Sequence, residues 1–140
     1  MEVFHNIAIN LANFFLPFLV GSLIFFSIVV APTTFSSLDQ SNSKKFIRTI
    51  FPKLYMWSFI ISLALAVIII TINIFLGVIL FLVSFGFLFS RQFLTNWINK
   101  ISDVKKKNRQ QINKFNLLHT LSVTIFIIQI ILLIIVDLYI

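Results

Sequence analysis

Two histidines, His5 and His119, and a scatter of amides and hydroxyls inside long apolar stretches are the groups that could ligate a metal, relay a proton or recognise a ligand. Asn6, Asn10 and Asn13 recur at i, i+4 and i+7, so a helix carries them on one face, with Pro17 continuing it. Asn116, His119, Ser122 and Gln129 recur at multiples close to 3.6 residues and share a face of a second helix. Polar groups within membrane spans are where function concentrates. Amides also hold helices together, at about 0.6 kcal/mol per contact. The expected polar intramembrane face is therefore Asn10, Asn13, Asn116, Ser122 and Gln129, acting as helix glue or lining a cavity between the first and last spans. Asn13 and Gln129 fall at similar depth below one boundary, where a hydrogen bond between them is open to both.

His119 is the histidine that falls inside a span, about one turn from its basic end. It makes a packing or headgroup hydrogen bond, or it serves as the single protein ligand of a haem. His5 lies roughly 25 Å away along the membrane normal, at 1.5 Å per residue, so the two do not share one iron within a monomer. With no cysteine and two methionines, thiolate chemistry is excluded and a copper pathway is poorly furnished. Glu2, Asp39, Asp103 and Asp137 fall in loops or at span ends, which leaves no intramembrane carboxylate to relay protons. No catalytic residue and no metal ligand set is expected. No cofactor is expected either, haem on His119 being the alternative.

The elements that must position these groups are set by hydropathy. At 59% hydrophobic residues and a mean hydropathy of +1.05, the chain holds more apolar surface than a soluble domain can bury. The run from Leu54 to Ser90, 37 residues, carries no charge. As one helix it would measure about 55 Å against a hydrocarbon core of about 30 Å, so it must fold back, with a turn near Asn73. Ser58, Ser62 and Ala66, spaced by four, give its first arm a face for close helix approach. Tyr55 and Trp57 are expected in an aromatic belt. The apolar stretch before Pro32 is too long and its start too acidic for a secretory signal, so a retained first span is expected, kinked at Pro17 and ended by Pro32.

All 11 Lys and Arg residues fall in the first and third loops, four and seven respectively. Cytoplasmic loops are enriched in these residues. With four spans both loops face the cytoplasm, and both termini face away from it. A formal charge of +7 confined to such loops is a topology signal and not a nucleic-acid one. Phe46, Ile47, Ile50 and Phe51, and again Trp97, Ile98, Ile101 and Val104, recur at helical spacing beside basic residues, which predicts a short amphipathic helix on the membrane surface in each loop. Lys105, Lys106, Lys107 and Arg109 suit anionic lipid headgroups.

The expected fold is thus all-α: one integral membrane domain over residues 1–140, a four-helix transmembrane bundle with spans at about 6–31, 53–72, 75–92 and 116–138, and two short interfacial helices in the cytoplasmic loops. Certain segments also resemble a family. Gly21-Ser22-Leu23-Ile24-Phe25-Phe26 running to Ala31-Pro32, Phe51-Pro52-Lys53-Leu54-Tyr55, Ile98-Asn99-Lys100-Ile101-Ser102-Asp103 and Phe115-Asn116-Leu117-Leu118-His119-Thr120-Leu121-Ser122 look, in that order, like motifs of the transmembrane-protein-205-like group. That group comprises four-helix membrane proteins with no settled biochemical activity, so the resemblance implies fold and placement. A more distant similarity links the chain to small membrane proteins of copper resistance and of haem-biosynthesis oxidation, whose His-rich patterns it lacks. The functional expectation is a non-enzymatic protein that binds or stabilises something in a bacterial plasma (inner) membrane, as a monomer or a homo-oligomer. The alternatives are a haem-binding or redox protein using His119 and a passive transporter with a polar cavity.

Overall fold

The computed structural model describes residues 2–140. Four long helices make up the fold: α1, Glu2–Ser37; α2, Gln40–Ile69; α3, Ile74–Ser102; and α4, Arg109–Tyr139. Each is long and apolar enough to cross a membrane, and no strand occurs among the described residues. The chain is a multi-pass integral membrane protein. Each helix packs against its sequence neighbours, and α4 closes the ring against α1. Helices α1 and α3, and likewise α2 and α4, face each other across the bundle axis.

The charge-free run folds back as its length demands. Helix α2 ends at Ile69, and Asn73 caps α3, its side-chain oxygen accepting from the backbone N–H groups of Phe75 at 3.1 Å and Leu76 at 3.2 Å. A Cβ on Gly77 would lie 2.5 Å from the Ile70 Cα, so the return is possible only with glycine there. Ser58, Ser62 and Ala66 are fully buried on α2, as their spacing predicts. The hydroxyls of Ser58 and Ser62 donate back to the carbonyls of Leu54 (2.8 Å) and Ser58 (2.7 Å), which frees them of any other partner.

At the other end, Asp39 caps α2 by accepting from Ser41 and Asn42, and Asn108 with Gln111 forms a capping box at α4. The two basic loops meet here. Asp103 accepts from Arg48 at 2.7 Å and lies 3.5 Å from Lys44, so one carboxylate ties the two loops together. Glu2, His5, Thr71 and Ile72 lie together at the opposite end. The bundle thus has a basic end and a terminal end.

The two interfacial helices expected in the basic loops do not form as separate elements. Helix α2 runs unbroken from Gln40 through Pro52, and α3 continues through Arg91 to Ser102. Their apolar stripes have another use: Ile47, Phe51 and Ile98 turn inward and wall a cleft instead of lying on lipid. Pro32 likewise does not end α1. The segment Phe26–Val30 just before it is a π-turn, in which the Ala31 N–H bonds to the Phe26 carbonyl, and the helix then runs on to Ser37. A second π-turn, Ser90–Leu94, interrupts α3, with the Thr95 N–H bonded to the Ser90 carbonyl. Tyr55 also departs from expectation. It is 3% exposed at the bundle centre, while Trp57, 37% exposed, is the residue that suits a belt.

Candidate functional site, a cleft at the basic half of the bundle

Packing is uneven along the bundle. Helix α4 buries Gln129, Leu133 and Val136, all near its terminal end, and no residue between Arg109 and Ile128. At the terminal half α1 and α3 pack against it through Ala8, Ala12, Leu16 and Leu19 and through Leu76, Leu80 and Val83, whereas in the basic half their buried residues, Leu23, Phe26, Phe87 and Leu94 among them, have no buried counterpart on α4. At the basic half the ring stays open and encloses a cleft of about 510 Å³. Its mouth lies between α1 and α4, at the exposed side chains of Ile24, Ile28, Val123 and Ile127, so it opens sideways toward lipid.

Both π-turns border this cleft. Phe26, Ser27 and Ile28 of the first are in its wall, and Thr95 follows the second. A π-turn adds one residue to the helix and so rotates every side chain beyond it, and such turns concentrate at functional sites. The Thr95 hydroxyl donates to the Ser90 carbonyl at 2.9 Å, using the acceptor that the π-turn leaves crowded.

The floor is aromatic. Phe26 meets Phe51 edge to face at 5.0 Å, Phe51 lies 5.8 Å from Tyr55, and Tyr55 lies 6.3 Å from both Phe87 and Phe126. These contacts carry the packing across the bundle axis where the helix backbones do not touch. The Tyr55 hydroxyl sits beside that of Ser122. Around the rim stand Arg48, Asn99 and His119. Arg48 donates through one nitrogen to the Asn99 carbonyl at 3.4 Å and to Asp103, and its guanidinium is partly exposed. That hydrogen bond from Arg48 holds the Asp103 carboxyl below the ordinary carboxylate range. The cleft is therefore apolar from floor to mouth, with a cation, an amide and an imidazole at one end.

The structure brings together two of the sequence-selected residues, His119 and Ser122, and separates the rest. Gln129 is 3% exposed and donates to the Val83 carbonyl of α3 at 3.2 Å, while its Oε1 is buried without a partner. A Cβ on Gly86 would lie 2.5 Å from Gln129 Nε2, so glycine there makes room for the amide. Gln129 clamps α4 to α3. It does not reach Asn13. Asn6, Asn10 and Asn13 are exposed, on the side of α1 away from Ala8, Ala12 and Leu16. The reason is registry: at 100° per residue the buried stripe lies about 130° round the helix from the amides. The polar cavity expected between Asn10, Asn13 and Gln129 is therefore absent among the described residues. Asn116 is also exposed.

His119 is exposed at the cleft rim, its ring stacked on Phe115 at 6.1 Å with 2° between planes. Lys107 Nζ lies over the same Phe115 ring, 5.0 Å from its centroid. Lys105, Lys106 and Arg109 are exposed in and just after the loop. His5 lies at the far end, beside Glu2 and Thr71. No group of three His, Cys, Asp or Glu side chains with metal-binding geometry occurs among the described residues.

Sequence reasoning missed Arg48, Tyr55, Asn99 and Phe126 as site residues. A signal existed for two of them: Arg48 and Tyr55 are seven residues apart, hence on one helix face with Phe51 and next to the stripe assigned to lipid.

Comparison with known families places most of the chain in one of them. Residues 14–107 match the model of a domain of unknown function, DUF4149. The chain belongs to that family. The matched stretch covers α1 from Phe14 onward, all of α2 and α3 and most of the second basic loop, and so takes in three of the four cleft walls. No curated protein and no solved structure matches the chain.

Proposed function

We propose that this protein is a non-enzymatic binding protein of the bilayer, and that its ligand is an amphipathic lipid with an anionic head. The observation that carries this reading is the cleft: about 510 Å³, apolar along its length, open sideways to lipid and ending at Arg48. A ligand that reaches the cleft through the hydrocarbon matches the apolar mouth. A phosphate or carboxylate matches the rim, where Arg48 keeps part of its donor fork free and Lys44 lies beside the shared Asp103. Asn99, His119 and Ser122 supply hydrogen-bonding groups for the rest of a polar head. Lys105, Lys106, Lys107 and Arg109 then attract anionic headgroups to the same end of the bundle.

The orientation that fits this role puts the basic end in the cytoplasm and both termini outside, because all 11 Lys and Arg residues lie at the basic end. A bacterial plasma membrane is the proposed location, and the motif resemblance to the transmembrane-protein-205-like group bears on the four-helix fold and its placement and not on the ligand.

The test is lipid analysis of the detergent-purified protein beside the cleft-filling variant Ala31→Trp. Retention of anionic phospholipid by the native chain and its loss in the folded variant is the expected result. Equal retention by both, or none by either, overturns the reading. A Soret band that vanishes in His119→Ala would assign the cleft to haem instead.

A further inference from the structure

We infer that the amide face of α1 is a self-association surface, and that its occupant is the same face of a second copy of this chain. Asn6, Asn10 and Asn13 are exposed, and none of their side chains hydrogen-bonds within the described residues. Asn6 lies at the level of the hairpin turn, beside Thr71 and Ile72. Asn10 and Asn13 are then about 6 and 10 Å deeper, at 1.5 Å per residue, inside the hydrocarbon. Lipid tails offer an amide neither donor nor acceptor, so two unpaired amides on a lipid-facing surface call for a protein partner.

The partner's chemistry follows from depth. It must present groups that both donate and accept at two levels, about 4.5 Å apart along the normal, at 1.5 Å per residue. Among the described residues of the terminal half, α1 is the helix that exposes amides. The exposed residues of α3 there are Ile74, Phe75, Val78 and Leu82, and those of α4 are Ile131, Ile134, Ile135 and Leu138, with Tyr139 at its last position, beyond the depth of Asn10 and Asn13. An amide is self-complementary, being donor and acceptor at once. A two-fold axis along the membrane normal sets each Asn opposite its own copy at equal depth, which satisfies both levels without any further requirement. Gly21, beside which an added Cβ would meet nothing within 4 Å, continues this side of α1 without bulk and lets the two helices stay close. Ile24 at the cleft mouth lies eleven residues beyond Asn13 and so falls on the same side of α1, which means that the paired face runs up to the mouth.

The chain has no cysteine, so a single introduced thiol reports on one position. Asn10→Cys and, as a control of similar depth on another face, Val78→Cys are oxidised in native membranes with a membrane-permeant copper complex. Disulfide-linked dimer from Asn10→Cys, and none above background from Val78→Cys, is expected. Equal yields, no dimer from Asn10→Cys, or linkage of that thiol chiefly to a different protein overturns the inference. The cysteine-free Asn10→Leu/Asn13→Leu variant is read by energy transfer between labelled copies in vesicles. Its association should weaken about tenfold, the product of two interhelical amide contacts of average strength. Unchanged association would also overturn it.

Discussion

The two halves of the bundle solve different problems with the same four helices. At the terminal half the helices interlock through small and amide side chains: Gly77 against Ile70, Gly86 against Gln129, Ala8 and Ala12 on α1. Each fits because a side chain is missing opposite it. At the basic half the contacts are made by rings, Phe26, Phe51, Tyr55, Phe87 and Phe126, and a cleft remains between them. Between helices in lipid the drive to associate is contact itself, since tails are as apolar as the side chains. A half that leaves a cavity forgoes that contact. The closed half stabilises the fold, and the open half is free to bind.

This contrast predicts opposite responses to added volume. The largest effect is expected from Gly77→Ala, which sets a methyl against the backbone of Ile70 and should cost about 3 kcal/mol, the upper range for overpacking. Thermal unfolding in detergent would show it, and an unchanged melting temperature would mean that the hairpin turn is looser than described. Next comes Gly86→Ala. The amide of Gln129 can swing away but then gives up the Val83 carbonyl, and a loss of about 1–2 kcal/mol follows from the broken buried bond. In Gln129→Leu the same Gly86→Ala change should cost less, and a double-mutant cycle measures that coupling. At the basic half Ala31→Trp adds far more volume yet should change stability by under about 1 kcal/mol, because the side chain enters existing space. If it destabilises as much as Gly77→Ala, the two halves do not differ in the way described.

The smallest effect is expected from the carboxylate that joins the basic loops. Arg48 holds the Asp103 carboxyl below its ordinary range, so the folded form binds its proton less readily than the unfolded chain does. The contribution is then fully present above the ordinary carboxylate range and is lost as pH falls through the lowered folded value. The stability gap between the native chain and Asp103→Asn should be small near neutrality, as for exposed ion pairs, and should close on acidification. A gap that widens as pH falls would rule out this pairing.

Much of the fold was legible in the residues alone. Absence of charge from Leu54 to Ser90, set against the thickness of a bilayer, requires a hairpin. Asn73 beside Gly77 places its turn, and the spacing of Ser58, Ser62 and Ala66 places its packing face. These follow from local length and periodicity, which need no knowledge of neighbours. Tertiary structure decided which side of each helix looks inward. Asn10, Asn13 and Gln129 sit at comparable depth, but depth is one coordinate and azimuth is another. The apolar stripe of Ala8, Ala12 and Leu16 took the core of α1 and left its amides outside, since in lipid van der Waals fit outweighs one weak interhelical hydrogen bond. The same holds for Phe46 to Phe51 and for Trp97 to Ile101. Their helical periodicity is in the sequence, but whether each stripe meets lipid or another helix depends on the packed neighbours, and for Trp97 to Ile101 also on the π-turn at Ser90–Leu94, which rotates the helix beyond it. A π-turn differs from an α-turn by one hydrogen-bond register, which no pattern of residue types fixes until the packed neighbours choose between them.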